Sequence, residues 1–426
     1  MSGMSDQRDM LPVSENGQGD TGMTRAVLAL NAGSSSLKFA LFAIEKGDTA
    51  SSPSRRIASG ELEGIGSHPH FVAHDATGGV LVDETWAPVP PGTPAEQAQH
   101  GPMATLMAWV GKQLGDVDLM AVGHRVVHGG PDFIAPVRIT PGVLARLAAL
   151  TPFAPLHQPG SLAPVRALLA QYPDLPQVAC FDTGFHHTLP AVAQAQALPG
   201  DYAARGVRRY GFHGLSYEYI ATCLRARAPH LAQGRTIVAH IGSGGSLCAL
   251  QAGRSVDTTM GFSVLDGLVM GTRCGHLDPG VILYMLREEG LGVAEIENIL
   301  YHRSGLLGVS GLSADMRDLH AHAGTSPAVT QALDLFVYRF AQQAGGMMAA
   351  LQGLDGLVFT AGIGEHDATI RAAVCARLEW AGIRIDAQAN AAHREIISTP
   401  HSAVEVRVIP TDEETTIRRH VLMCLG

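Results

Sequence analysis

Two segments of this chain, VLALNAGSSSLKFAL (27–41) and IVAHIGSGGSLCALQ (237–251), can be laid on each other at a constant offset of 210 residues. Val27 meets Ile237, Ala29 meets Ala239, Ser36 meets Ser246 and Leu37 meets Leu247. Each segment reads as an apolar strand, a Gly/Ser turn and a second strand, which is a hairpin signal. Two Gly/Ser hairpins can agree by chance. If the agreement is structural, the chain holds two related domains, each presenting a phosphate-facing turn to a ligand held between them.

A length of 426 residues allows two or three domains. With 46% hydrophobic and 16% charged residues, the composition supports a large buried core. The net charge of −9 argues against nucleic acid or an anionic membrane as partner. An anionic substrate would therefore need its own local cations. No apolar run approaches the ~18 residues of a membrane span, and residues 1–24 read as a disordered polar tail without signal-peptide character. The six cysteines are scattered, with no metal-ligand spacing, as expected of reduced thiols in the cytoplasm.

The order of elements predicts an α/β fold. Strands are expected at 27–30, 37–42, within 56–84, and at 119–122, 177–181, 236–241, 247–251, 357–360 and 404–409. Helices are expected at 96–114, across the proline-interrupted stretch 141–171, and at 216–228, 327–352, 367–380 and 412–423. The helix at 327–352 is carried by Val329, Leu333, Phe336, Val337, Phe340 and Met347 at i, i+3, i+4 spacing. The domains read as 25–175, completed by the helix 411–426, and 176–410.

Gly/Ser turns cradle phosphates because small residues let several backbone N–H groups converge on one anion. The turn at 31–36 is followed by Lys38, one of only three lysines. It is not a P-loop, since G-x-x-x-x-G-K-[ST] is absent. Gly242–Ser246 and Gly362–Glu365 are two further turns after apolar strands, and three in one chain point to a nucleotide. Arg125 (in GHRVVHGG, 123–130) and Arg273 (in GTRCGHLDPG, 271–280) sit among glycines, where a ligand can approach closely. Their planar forks suit carboxylate or phosphate, and a structural role explains either equally well. His157 and His213 read singly as hydrogen-bonded core residues. Asp182 ends a buried strand, a common place for catalytic or metal-binding acids. Glu413 and Glu414 read either as ligands or as first-turn acids favoured by the helix dipole after Thr411.

Together these blocks resemble a family. NAGSSSLK (31–38), GHRVVHGG (123–130), FDTGFH (181–186), RRYGFHG (208–214), SVDTTMGF (255–262), GTRCGHLDPG (271–280), FTAGIGE (359–365) and IPTDEE (409–414) are similar, in order, to the signature blocks of the acetate kinase family. The resemblance implies two related domains of the acetate and sugar kinase/Hsp70/actin (ribonuclease H-like) type, with the active site in the cleft between them. It also implies a homodimer that reversibly transfers the ATP γ-phosphoryl group to acetate, giving acetyl phosphate and ADP, with Mg²⁺ (or Mn²⁺). Carried over residue by residue, Asn31 and Glu413 match the metal positions, and Ser34, Ser36 and Lys38 the ATP-phosphate turn. Arg125 matches the substrate-carboxylate arginine, with His157 lining the same cleft. Asp182, His213 and Arg273 match the catalytic residues. His240, Gly242, Ser243 and Gly244, then Asp315, Met316 and Arg317, then Gly362, Ile363, Gly364, Glu365 and His366 match the nucleotide-binding stretches.

The chain departs from the family pattern at Ser243, where G-N-G is usual, at His366 (usually G-E-N), at Gln158 (usually P-L-H-N-P) and at His276 (often an acid). These read as nucleotide and rim positions, and they bear on phosphoryl-donor preference. The set Asn31, Arg125, Asp182, His213, Arg273 and Glu413 is intact. A carboxylate acceptor has a pKa of roughly 4–5 and is already ionised at neutral pH, so Asp182 reads as an orienting group rather than a base. The near rival is a propionate or butyrate kinase. A rival of another class is a nucleotide-dependent binding or regulatory protein of the same fold, which would have no need of Arg125.

Overall fold

The computed structural model describes residues 25–33, 36–65, 68–87 and 95–425, with 95–100 as backbone only. The proposed tail at 1–24 and Ser34 lie outside the described residues. The chain divides into two compact units. Unit 1 comprises residues up to Gly129, Ala135–Phe181 and Glu413–Gly426; unit 2 comprises Gly130–Ile134 and Asp182–Asp412. The break falls after Phe181 rather than at 175/176, because strand Gln177–Phe181 is hydrogen-bonded into the sheet of unit 1.

Unit 1 is built on strands β1 (Arg25–Ala32), β2 (Leu37–Ile44), β3 (Arg55–Glu63), β4 (His70–Asp75), β5 (Val80–Thr85), β6 (Asp118–Val126), β7 (Val137–Arg138) and β8 (Gln177–Phe181). They form one sheet in the order β5-β4-β3-β2-β1-β6-β8-β7. Side chains alternate across a strand, and both faces here are covered. Leu28, Leu30, Phe39, Leu41 and Val122 join the helix Ala95–Leu114 through Met103, Leu106 and Val110. Gly123, one residue on, faces the other way. A Cβ there would stand 2.4 Å from Ile417 and 2.7 Å from Val421, both fully buried on the helix Glu413–Leu425. Glycine at 123 thus lets that helix seat directly on the sheet.

Unit 2 contains β9 (Arg235–Ile241), β10 (Gly245–Gln251), β11 (Arg254–Thr258), β12 (Gly356–Thr360) and β13 (Glu405–Val408), in the order β11-β10-β9-β12-β13. Alternation again sorts its residues. Ile237, Ala239, Ile241, Leu357 and Phe359 pack with Phe336 and Phe340 of the helix Pro327–Leu351. Val238, Cys248 and Val358 pack with Tyr217, Ile220 and Leu224 of the helix Gly214–Arg227.

The two sheets repeat one pattern. β3-β2-β1-β6-β8 and β11-β10-β9-β12-β13 both run through two antiparallel pairings and then two parallel ones. The repeated hairpin in the sequence therefore corresponds to a repeated sheet order. It does not hold residue by residue. Leu28 pairs with Leu41, whereas Val238, its counterpart at the same offset, pairs with Cys248 because the second turn is tighter. A second departure is Gly362–Glu365, which reads as a turn but forms part of a short helix, Ala361–His366. Ala361 takes a left-handed φ of 65°, and its N–H donates to the Glu365 side chain at 2.7 Å. Glu365 thereby caps the helix that contains it. Among the described residues, no helix is long and apolar enough to cross a membrane.

Burial carries a pH cost. His124 on β6 is 1% exposed, and desolvation pushes its imidazole down to about 4, partly opposed by Gln177. The unfolded chain titrates this group near 6.5. Below that pH the unfolded state binds a proton that the folded state refuses, so stability falls as pH drops from about 6.5 to about 4. The loss from His124 alone reaches about 3 kcal/mol. Thermal melts between pH 7 and 4 are expected to show this slope, and His124→Met to reduce it, since buried His186, also held down at about 4, contributes over the same range.

Candidate active site

In unit 1 the expected residues gather at the carboxyl end of β1. Asn31 Nδ2 donates to Glu413 Oε2 at 2.8 Å and to Glu414 Oε1 at 3.1 Å. Both acids lie in the first turn of the helix Glu413–Leu425, where the dipole favours negative charge. An amide and two carboxylates at one spot are hard oxygen donors suited to a divalent cation. Among the described residues there is no cluster of three or more His, Cys, Asp or Glu side chains that could enclose a metal. A cation held here would keep water or phosphate oxygens in its shell.

Lys38 stands directly across from Asn31 on β2, exposed, with its ammonium 4.0 Å from Glu61. Ser36 closes the turn, its carbonyl accepting from Gly33 N–H at 2.8 Å. Arg125, on the adjacent β6, donates through Nη1 to the Ala32 carbonyl at 3.3 Å. His157 precedes the helix Gln158–Gln171 and is half-buried. The neighbouring departure, Gln158, is not a rim residue. It is fully buried, and its side-chain amide bonds to the backbone N–H and C=O of His128 and to the Leu147 carbonyl.

In unit 2 the centre is His213. It takes a left-handed φ of 57° immediately before the helix Gly214–Arg227. Gly214 N–H donates to the Asp182 carbonyl at 2.9 Å, so buried Asp182 fixes this corner through its backbone. His213 Nδ1 is 2.8 Å from Ser246 Oγ, and its ring stacks on His240 at 4.1 Å between centroids. Arg273 is held by a 2.8 Å bond from Nη1 to the Val264 carbonyl. A Cβ on Gly244 would lie 2.5 Å from Arg273 Nη2 and 3.6 Å from His213 Nε2. The guanidinium, the imidazole and a bare stretch of backbone thus meet over the β9–β10 turn. Donors converging this way suit an oxyanion.

Beside this turn, still within unit 2, lies a cavity of about 890 Å³. Gly242, Ser243, Asp315, Met316, Arg317, Gly362, Ile363 and His366 line it, together with His320 and Asp367. Its size is in the usual range for a small-molecule site, roughly 300–1,000 Å³. Asp315 caps the helix Met316–His322 and grips the Arg317 side chain, which holds its carboxyl down at about 2. His320 Nε2 and Asp367 Oδ2 pair at 2.7 Å. Four residues from the nucleotide-binding stretches do not line the cavity. His240 is buried in the ring stack, Gly244 lies under Arg273, Gly364 is buried, and the Glu365 carboxylate accepts from Ala361 N and from Thr411 N at 3.0 Å.

Sequence reasoning passed over several residues that hold the site. Ser246, Tyr217, Ser216 and Thr411 form the hydroxyl framework around the two histidines. Only Ser246 left a trace, as the counterpart of Ser36 in the repeated hairpin. Arg371, fully buried, donates to the Gly364 and Glu365 carbonyls at 2.9 and 2.8 Å and anchors the short helix beside the cavity.

Comparison with known proteins adds four findings. The acetokinase family profile matches residues 26–419. An acetate kinase of Rhodopseudomonas palustris is 50% identical over 402 residues, covering 94% of this chain and 98% of its own. Among solved structures, Porphyromonas gingivalis acetate kinase is 35% identical with a TM-score of 0.78, over 94% of this chain and 100% of its own. A propionate kinase from Francisella tularensis is 34% identical with a TM-score of 0.81, over 93% and 98%.

The close approach at Gly244 is testable. Gly244→Ala is expected to displace the Arg273 guanidinium and to lower turnover about 10²-fold, with little change in melting temperature. Steady-state kinetics beside a thermal melt would check this; unaltered turnover would mean that Arg273 does not need its present position.

Proposed function

We propose that this chain, which belongs to the acetokinase family, reversibly transfers the γ-phosphoryl group of ATP to acetate, giving acetyl phosphate and ADP. It is a phosphotransferase with a carboxyl group as acceptor, on an α/β fold of two related units of the acetate and sugar kinase/Hsp70/actin type. The observation that carries the reading is the meeting of Arg273 Nη2 and His213 Nε2 over Gly244. A second acceptor, propionate, stays in view because a propionate kinase shares the fold closely, and one methylene is worth only ~1–3 kcal/mol in a pocket.

The acceptor needs no base, since a carboxylate of pKa roughly 4–5 is ionised at neutral pH. The barrier is electrostatic: two anions must meet while charge spreads over the transferring group. Arg125 grips the acceptor carboxylate with its planar fork, and His157 lines that side. Arg273 and His213 donate to the equatorial oxygens. Asn31 and Glu413 would hold Mg²⁺, which when bound neutralises phosphate charge. Lys38, Ser34 and Ser36 attend the phosphates. The cavity residues Gly242, Ser243, Asp315 to Arg317, Gly362, Ile363 and His366 take the nucleotide, while Gly244, His240, Gly364 and Glu365 hold its frame. Asp182 orients the His213 corner.

Two broader points belong to the same proposal. The cysteines described here are all free thiols, which suits the cytoplasm. The helix Pro279–Arg287, PGVILYMLR, contains no buried residue, and Val281, Leu283, Tyr284 and Leu286 are 37–55% exposed. So apolar a helix in contact with water favours a protein interface, and we assign it to a homodimer.

ADP formation from Mg-ATP with acetate, propionate, butyrate or no acceptor tests the activity. Acetate-dependent turnover is expected; turnover indifferent to every carboxylate would favour a nucleotide-binding regulator instead. Arg273→Ala should lower kcat on the order of 10²–10³-fold, and Arg125→Ala should chiefly raise the acetate KM. For the assembly, Leu283→Glu with Tyr284→Glu is expected to halve the mass measured by light scattering, and an unchanged mass would move the interface elsewhere.

A further inference from the structure

His213 offers a donor to the transferring group only if its proton is on Nε2, and the surrounding hydroxyls bear on where that proton is. Tyr217 is fully buried on the helix Gly214–Arg227. Its hydroxyl is 2.5 Å from Ser246 Oγ, which is 2.8 Å from His213 Nδ1. Ser246 is itself fully buried at the start of β10. Three polar atoms in line share two hydroxyl protons, so their order can be worked out.

Among the described residues, Ser246 Oγ is the side-chain partner of the Tyr217 hydroxyl, and either oxygen could donate. Burial raises that phenol well above its ordinary value, so it keeps its proton. The Tyr217 proton therefore points to Ser246. Ser246 accepts it, and the serine proton is left with His213 Nδ1 as its acceptor. Nδ1 is then a lone pair, and the neutral imidazole carries its proton on Nε2. That is the nitrogen facing Gly244 and Arg273 Nη2.

We infer that Tyr217 and Ser246 are positioning residues that form a directional hydroxyl relay and fix the proton of His213 on Nε2. The inference rests on the phosphotransfer reading for its purpose but not for its geometry. The ring is also held in place by His240 stacked against it at 4.1 Å, itself tied by Nδ1 to Ser216 Oγ at 2.8 Å. The imidazole thus has a set plane as well as a set proton, and needs no reorganisation when negative charge develops in front of it.

The test reads the tautomer directly, by two-bond proton–nitrogen correlation of ¹⁵N-histidine in the full chain at pH 8, with His213→Gln to assign the signal. The expected result is a neutral ring protonated on Nε2. In Ser246→Ala the signal should shift toward a tautomer mixture, and kcat should fall roughly 10-fold or more with the KM for acetate and ATP unchanged. Ser246→Thr, which keeps the hydroxyl, should restore both, and Tyr217→Phe should show the same change to a smaller degree. A wild-type ring protonated on Nδ1 overturns the relay, whether or not the variants fold. So does a Ser246→Ala protein with unaltered tautomer and kcat. The tautomer is read without turnover, so failure of the kinase reading and failure of the relay give different results.

Discussion

A sheet covered by helices on both faces can place polar groups only where its strands end. β1, β6, β8, β9 and β12 are apolar and buried along most of their length. The candidate site residues stand at or near the carboxyl ends: Asn31 near the end of β1, Arg125 near the end of β6, Asp182 just past β8, His240 near the end of β9 and Thr360 closing β12. This is the general location of ligand sites in α/β sheets. The chemistry of the chain is in this sense a by-product of its burial, since strand bodies admit nothing ionised and strand ends must be satisfied by something.

Unit 2 meets that demand with a chain of contacts rather than with single bonds. Glu365 caps its own short helix and also receives Thr411 N–H. Thr411 Oγ1 meets Ser216 Oγ, Ser216 meets His240, and His240 stacks on His213. The cavity wall and the paired donors over Gly244 are thereby linked through buried Ser216 and His240 and the part-buried Glu365, Thr411 and His213. Networks of this kind favour one arrangement because a half-satisfied version is expensive in low dielectric.

Much of this was legible in the residues. The hairpin repeat implied two related sheets, and the strand-end positions of Asn31 and Asp182 followed from apolar runs that stop at a polar residue, whereas Arg125 stood out only for its glycine neighbours and lies within β6. What stayed hidden had physical causes. Gly362-Ile363-Gly364-Glu365 resembles a turn because two glycines in four residues weaken a helix, yet an internal carboxylate cap holds it helical. Gln158 looked like a rim substitution, although its amide spans two backbone segments in the core. Tyr217 and Ser216 were invisible because a lone hydroxyl has no sequence signature, and Ser246 showed only as the counterpart of Ser36; the fold supplies their partners. The equal spacing of the two hairpins overstated their likeness, since the turns close after different numbers of residues.

The helix Glu413–Leu425 belongs to unit 1, yet all of unit 2 from Asp182 onward precedes it in the chain. On the ribosome the strands of unit 1 emerge early, with the Gly123 face of their sheet lacking the cover that Ile417 and Val421 provide. That face stays incomplete until the intervening unit has been synthesised, so unit 1 cannot finish folding as an independent first domain. Glu413 and Glu414 arrive on the same segment that closes the core. A truncated or stalled chain therefore lacks the acids beside Asn31 and the cover of its own sheet together.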